Sequence, residues 1–132
     1  MTPGDLPAPT RVAGTRPDER FRPEERVRRR AEYLAIYDRG RRVPGRLMTI
    51  FLLENGGPRA RLGIAATRKF GSAVQRNRAK RLVREAFRRH KPSEGLDIVV
   101  IPRREMIGAD YGRVEAEYVA VLERRARSRR GA

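Results

Sequence analysis

The chain has 132 residues, with 29 Arg and three Lys against 16 acids, a formal net charge of +16, no Cys and a single His. That length fits one domain with a small core, and the counts exclude disulfides, thiolate chemistry and any multi-histidine metal site. An excess of charge this large repels itself in a compact chain and calls for a polyanion, nucleic acid first, because covering phosphates releases condensed counterions. Arg rather than Lys suits that partner, since the planar guanidinium binds two phosphate oxygens and stacks on bases. Residues 1–22 are dense in Pro and Gly, lack apolar periodicity and are expected to form a disordered tail. They show no signal pattern. The longest apolar run, Leu47–Leu53, is too short to span a bilayer, so the chain reads as cytoplasmic with no membrane partner.

A helix is expected within Glu24–Arg39, most firmly over Arg30–Arg39, with Gly40 as its stop. Arg41–Gly45 holds a Pro and reads as a loop or short edge strand. Gly40–Leu47 superficially looks like a phosphate-binding loop, but Arg46 and Leu47 replace its Lys and hydroxyl residue, and no strand precedes it. Leu47–Leu53 and Arg59–Thr67 read as strands, and the turn signal Asn55-Gly56-Gly57-Pro58 between them suggests an antiparallel hairpin. Ala73–Arg89 is the longest helical segment. Asp97–Ile101 is a short buried-type strand, and Asp110 can cap a last helix carrying Val114, Tyr118, Val121 and Leu122. Arg124 to Ala132 is Arg-rich, without acids, and is expected to fray as a basic tail. The domain proper is then 23–123. Helix, hairpin, helix, strand and helix in that order imply an α+β fold with helices packed on one sheet.

The informative segment is Arg68–Lys91, which holds ten cations and the single acid Glu85. Wound at 3.6 residues per turn, it gathers Ala79, Leu82, Val83, Ala86 and Phe87 on one side, with His90 continuing the stripe. Asn77, Lys80, Arg81, Arg84 and Arg88 fall opposite, flanked by Arg76, Arg78 and Arg89. Like charges spaced i, i+4 oppose helix formation, so this strip reads as a surface built for an anion rather than an ordinary solvated face.

Arg76–Arg88 resembles the RNR signature helix of the ribonuclease P protein family. Thr67–Val74 looks like the family's lead-in, and the likeness extends weakly over residues 26–122, including Arg28–Gly40 and the Asp97–Ile101 strand. The resemblance implies a two-layer sandwich, a central mixed sheet packed with helices, containing a left-handed βαβ crossover. It implies that Arg76, Asn77, Arg78, Lys80, Arg81, Arg84 and Arg88 contact a catalytic RNA. It further implies that a cleft between the first helix and the sheet holds the 5′ leader of precursor tRNA. No obligatory protein partner is implied.

Tyr33 and Tyr37, an i, i+4 pair, suit base stacking in that cleft, although aromatics beside Leu34 and Ile36 are equally ordinary core residues. The family usually carries Phe at these positions. Arg68 and Lys69 are expected to line the cleft. No arrangement for phosphodiester hydrolysis is visible: Glu115 and Glu117 face different ways on a helix, and His90 suits a helix end. No catalytic residue is therefore assigned to the protein, which fits catalysis by an RNA subunit with Mg²⁺ held mainly by that RNA. The competing readings are a structural ribosomal RNA-binding protein and a DNA-binding protein. Against the second, Ala73–Arg89 has neither a helix-turn-helix partner nor a zipper.

Overall fold

The computed structural model describes residues 23–92 and 95–130, so the expected tail of residues 1–22 and the turn residues 93–94 lie outside the described residues. The chain runs α1 (Arg30–Arg39), β1 (Arg41–Pro44), β2 (Met48–Glu54), β3 (Arg61–Ile64), α2 (Ala73–Arg89), β4 (Leu96–Pro102) and α3 (Tyr111–Arg130). Short 3-10 turns sit at Pro23–Glu25 and Arg104–Met106. One mixed sheet holds the strands in the order β1-β2-β4-β3. β3 and β4 are parallel and joined through α2, while β1–β2 and β2–β4 are antiparallel. The α+β class and the mixed sheet agree with the expectation.

The expected hairpin does not form. β2 pairs with β4 from Met48↔Pro102 to Glu54↔Leu96, and β3 pairs with the far side of β4. The reason is burial. β4 is apolar on both faces and takes the centre, where a continuous hydrophobic run can be covered on both sides. Asn55–Pro58 is still a turn: the Asn55 Oδ1 accepts the Gly57 N–H at 2.7 Å and Gly56 has φ +70°. The loop crosses the start of β4, tied by Asn55 N–H to the Gly95 carbonyl at 3.1 Å, and delivers the chain to β3. The hairpin that does form joins β1 to β2 through Gly45–Leu47, so Arg41–Pro44 is an edge strand rather than a loop.

The helices start where their side chains can satisfy free amides. Ser72 and Gln75 form a reciprocal capping box on α2, and Asp110 accepts the Arg113 N–H at 2.9 Å on α3, as expected. His90 ends α2. α3 continues to Arg130, through most of the stretch expected to fray.

The helices divide unevenly over the sheet. α2 and α3 cover one face, packing Val83, Phe87, Val114 and Tyr118 against Ile50, Leu52, Leu62, Ile64, Ile98 and Val100. α1 packs on the other, placing Tyr33, Ile36 and Tyr37 against Phe51, Ala65 and Val99. Two polar clamps complete the frame. The Glu117 carboxylate on α3 accepts the N–H groups of Arg46, Leu47 and Met48 at 2.8–3.1 Å, holding the β1–β2 turn. Arg61 on β3 makes a two-pronged contact with Asp97 at 2.8 and 2.7 Å and bonds Glu32 on α1.

Candidate nucleic-acid interface

α2 buries Ala79, Val83, Ala86 and Phe87 as its sequence dictates, but it buries Lys80 too, at 3% exposure. The expected outer strip is therefore corrected. The segment just before α1, residues 26–29, is extended rather than helical: Arg26 bridges to Leu62, and the Val27 N–H donates to the Leu62 carbonyl at 3.0 Å. This extended segment lies along the free edge of β3, and Arg26 reaches the neighbourhood of Arg84 on α2. Lys91, just past the helix, pairs with the buried Glu25 at 2.7 Å. One flank of α2 thus becomes a seam rather than a solvated face.

That seam is cationic. Burial lowers the pKa of Lys80, and Arg76 and Arg84 lower it further. Burial lowers that of Arg84, with Arg26 and Arg81 adding to it. Arg26 is lowered by burial and by Arg28. Desolvated like charges side by side disfavour their own ionised form, and an anion laid along the seam relieves them. Outside the seam, the exposed row is Val74, Asn77 and Arg81, with Val74 at 75% exposure.

The remaining expected contacts are partly engaged within the protein. Arg76 donates to the Gly71 carbonyl at 2.8 Å, and Arg78 to the Ala109 carbonyl at 2.7 Å. Arg88 and Arg89 both bind Glu85, whose carboxyl is held below the usual range first by Arg88. At the end of the helix, His90 Nε2 lies 2.9 Å from Glu115, which also accepts the Tyr111 hydroxyl. Glu115 and Glu117 therefore serve separate structural contacts. Among the described residues, no three His, Asp or Glu side chains converge as a metal site, and no helix is long and apolar enough to cross a membrane.

On the opposite face, Tyr33 and Tyr37 are 2% and 6% exposed. Tyr33 packs over Gly63, where a Cβ would lie 2.6 Å from its hydroxyl, and that hydroxyl shares a hydrogen bond with the Ile64 backbone. Burial pushes its pKa up to about 12. Tyr37 stands edge-on to Phe51 at 5.0 Å between ring centres and to Tyr33 at 6.3 Å. In this structure both rings are core residues, with no free face for a stacked base. Arg68 and Lys69 are exposed beyond the end of β3. Arg26 and Phe51 are site residues that sequence patterns do not single out. The first is hidden when helix periodicity is extended back to Glu24, the second by the apolar run around it.

The sequence profile of the family described as Ribonuclease P matches residues 21–126. The chain belongs to the ribonuclease P protein family. A relative from Desulfovibrio desulfuricans, named ribonuclease P protein component, is 46% identical over 109 residues, covering 77% of this chain and 83% of its own length. One from Thermotoga maritima with the same name is 41% identical over 99 residues, covering 74% and 84%. The solved structure of the RNase P protein from Thermotoga maritima superposes with a TM-score of 0.69 at 38% identity, covering 76% of this chain and 96% of that one. Membership of this family sets aside the structural ribosomal alternative, and β3–α2–β4 is a parallel βαβ unit.

Proposed function

We propose that this chain is the protein subunit of a ribonuclease P holoenzyme that binds the catalytic RNA through α2 and the leader of precursor tRNA across the α1 face of the sheet. It thereby assists endonucleolytic removal of the leader. The observation that carries the reading is the cationic seam of Arg26, Lys80 and Arg84 beside exposed Asn77 and Arg81, in a chain of this family. Cations gathered along a partly buried flank favour a phosphate backbone. The second surface rests on Tyr33, Tyr37 and Phe51 with Arg68 and Lys69 at the margin, a pairing of rings and cations suited to unpaired bases. Because both tyrosines are buried in the free protein, contact with a leader requires α1 to shift or meets ring edges rather than faces.

Catalysis is assigned to the RNA, with Mg²⁺ held mainly there, and a tRNA-processing role fits a cytoplasmic protein. The test is reconstitution. Protein alone with precursor tRNA and Mg²⁺ should give no mature 5′ end, and addition of the catalytic RNA should give it. Arg81→Ala should leave the fold intact and flatten the log–log salt dependence of catalytic-RNA binding by about 0.7–0.9 for each phosphate no longer bound. Cleavage by the protein alone, or an unchanged slope with Arg81→Ala, overturns this assignment.

A further inference from the structure

We infer that the edge strand β1 carries a phosphate-binding extension of the leader surface, centred on Arg42 with Arg39 and Arg46 beside it. The inference rests on the reading that the leader lies on the α1 face. Register places it there: Arg42 pairs with Phe51 across β1 and β2, and directly opposed residues of an antiparallel pair point to the same face. Phe51 stands against Tyr37, so Arg42 flanks that ring pair from the β1 side. Arg68 and Lys69 are exposed past the end of β3, at the other edge of the sheet. Beyond α1 the face between them carries Thr49, Ile101 and exposed Pro44. A strand of RNA crossing the sheet over these residues meets cations at both margins.

The arginine side chains around β1 form no ion pair among the described residues. Arg39, Arg41, Arg42 and Arg46 are all exposed, and between Asp38 and Glu54 the chain has no acid. Some arginines elsewhere, Arg61, Arg88, Arg89, Arg103 and Arg125, do pair with a carboxylate. Among the described residues no such contact engages these four, and Glu54, the acid nearest along β2, is taken by Arg125 at 3.2 Å. Asp38, exposed on α1, and Glu117, which accepts the Arg46 N–H at 2.8 Å, offset part of this charge. The ordinary role for cations on an edge strand is to prevent strands of different molecules from pairing. Edge protection alone does not require Arg42 to share the face of the aromatic pair. A single-stranded leader leaving that face over β1 uses both its charge and its placement, because a cationic track beside stacking rings is how unpaired strands are held without sequence preference.

The experiment uses the holoenzyme and precursor tRNAs with leaders of graded length. Wild-type affinity should rise with leader length and then level off. Arg39→Ala/Arg42→Ala should match wild type for mature tRNA and the shortest leaders, and level off at a shorter length. With long leaders its salt slope should fall by about 0.7 for each single-strand phosphate that the variant no longer binds. Arg42→Glu should enlarge the deficit. Parallel curves for wild type and variants, with more self-association of the variants at low salt, overturn the inference in favour of edge protection. Equal losses with every substrate, mature tRNA included, overturn it in favour of a contact elsewhere. If wild-type affinity ignores the leader altogether, the leader reading itself has failed, which is a separate outcome.

Discussion

Under α2 and α3 the sheet is joined by side chains with almost no polar content, Phe87, Val83, Val114 and Tyr118 against Ile50, Leu62, Ile98 and Val100. Under α1 the apolar contact is smaller, and polar groups hold the helix as well: Arg61 grips Asp97 and Glu32, and the Tyr33 hydroxyl bonds the Ile64 backbone. The first attachment rests mainly on buried area, with the Glu117 and Arg125–Glu54 contacts at its margin. The second depends on geometry and protonation. The face that must stay folded is thus built apolar, while the face that receives the leader in our reading is clamped by groups that can be released.

The sharpest way to break that contrast is Phe87→Ala, on the covered face. Phe87 is fully buried, and its loss should cost about 3–5 kcal/mol of global stability in a denaturant titration. A loss similar to that of a surface change would mean the α2–α3 layer is not the main core. Next in size is Tyr33→Phe on the α1 face. The ring remains and one buried hydrogen bond goes, so the cost should be about 0.5–1.5 kcal/mol. Hydrogen exchange should place the extra opening in α1 rather than in α2.

A smaller, pH-dependent effect follows from Glu32. Burial raises its pKa, but the Arg61 hydrogen bond and charge outweigh this and hold the carboxyl below its usual 4.5. A carboxyl lowered in the folded state contributes stability that is complete above pH 4.5 and is lost as pH falls through the folded value. Acid should therefore loosen α1 first. Exchange protection in α1 that survives as long as that in β4 below pH 4.5 would argue against the polar clamp.

The smallest change expected is Tyr118→Phe. The Tyr118 hydroxyl is buried with no hydrogen-bond partner among the described residues, and burial raises its pKa. Removing it should leave stability unchanged or raise it by up to about 1 kcal/mol. A clear loss in thermal midpoint would reveal a partner for that oxygen.

Arg30–Arg39, Ala73–Arg89 and the Asp110 cap were legible because helix periodicity and capping are local, requiring only side chains within a few residues of each other. The family likeness was legible for a similar reason: the RNR helix is one contiguous stretch. The β2–β3 hairpin was misjudged because turn chemistry at Asn55–Pro58 shows that the chain reverses, and not which strand will lie beside it. Lys80 was misplaced because the helical wheel describes α2 alone and carries no information about what packs against it.

By itself, then, the sequence determined the helices, the strand segments, the demand for a polyanion and the family. It did so through short-range periodicity and a charge total that no folding can alter. Tertiary structure decided the rest. It put β4 in the centre, because the strand apolar on both sides must be covered on both sides. It sank Lys80 and half-buried Arg84 in a shared seam. It buried Tyr33 and Tyr37 against Phe51, and it left Arg42 exposed beside them at the sheet edge. Each of these is a fact about neighbours distant in sequence, and desolvation depends on those neighbours rather than on residue type.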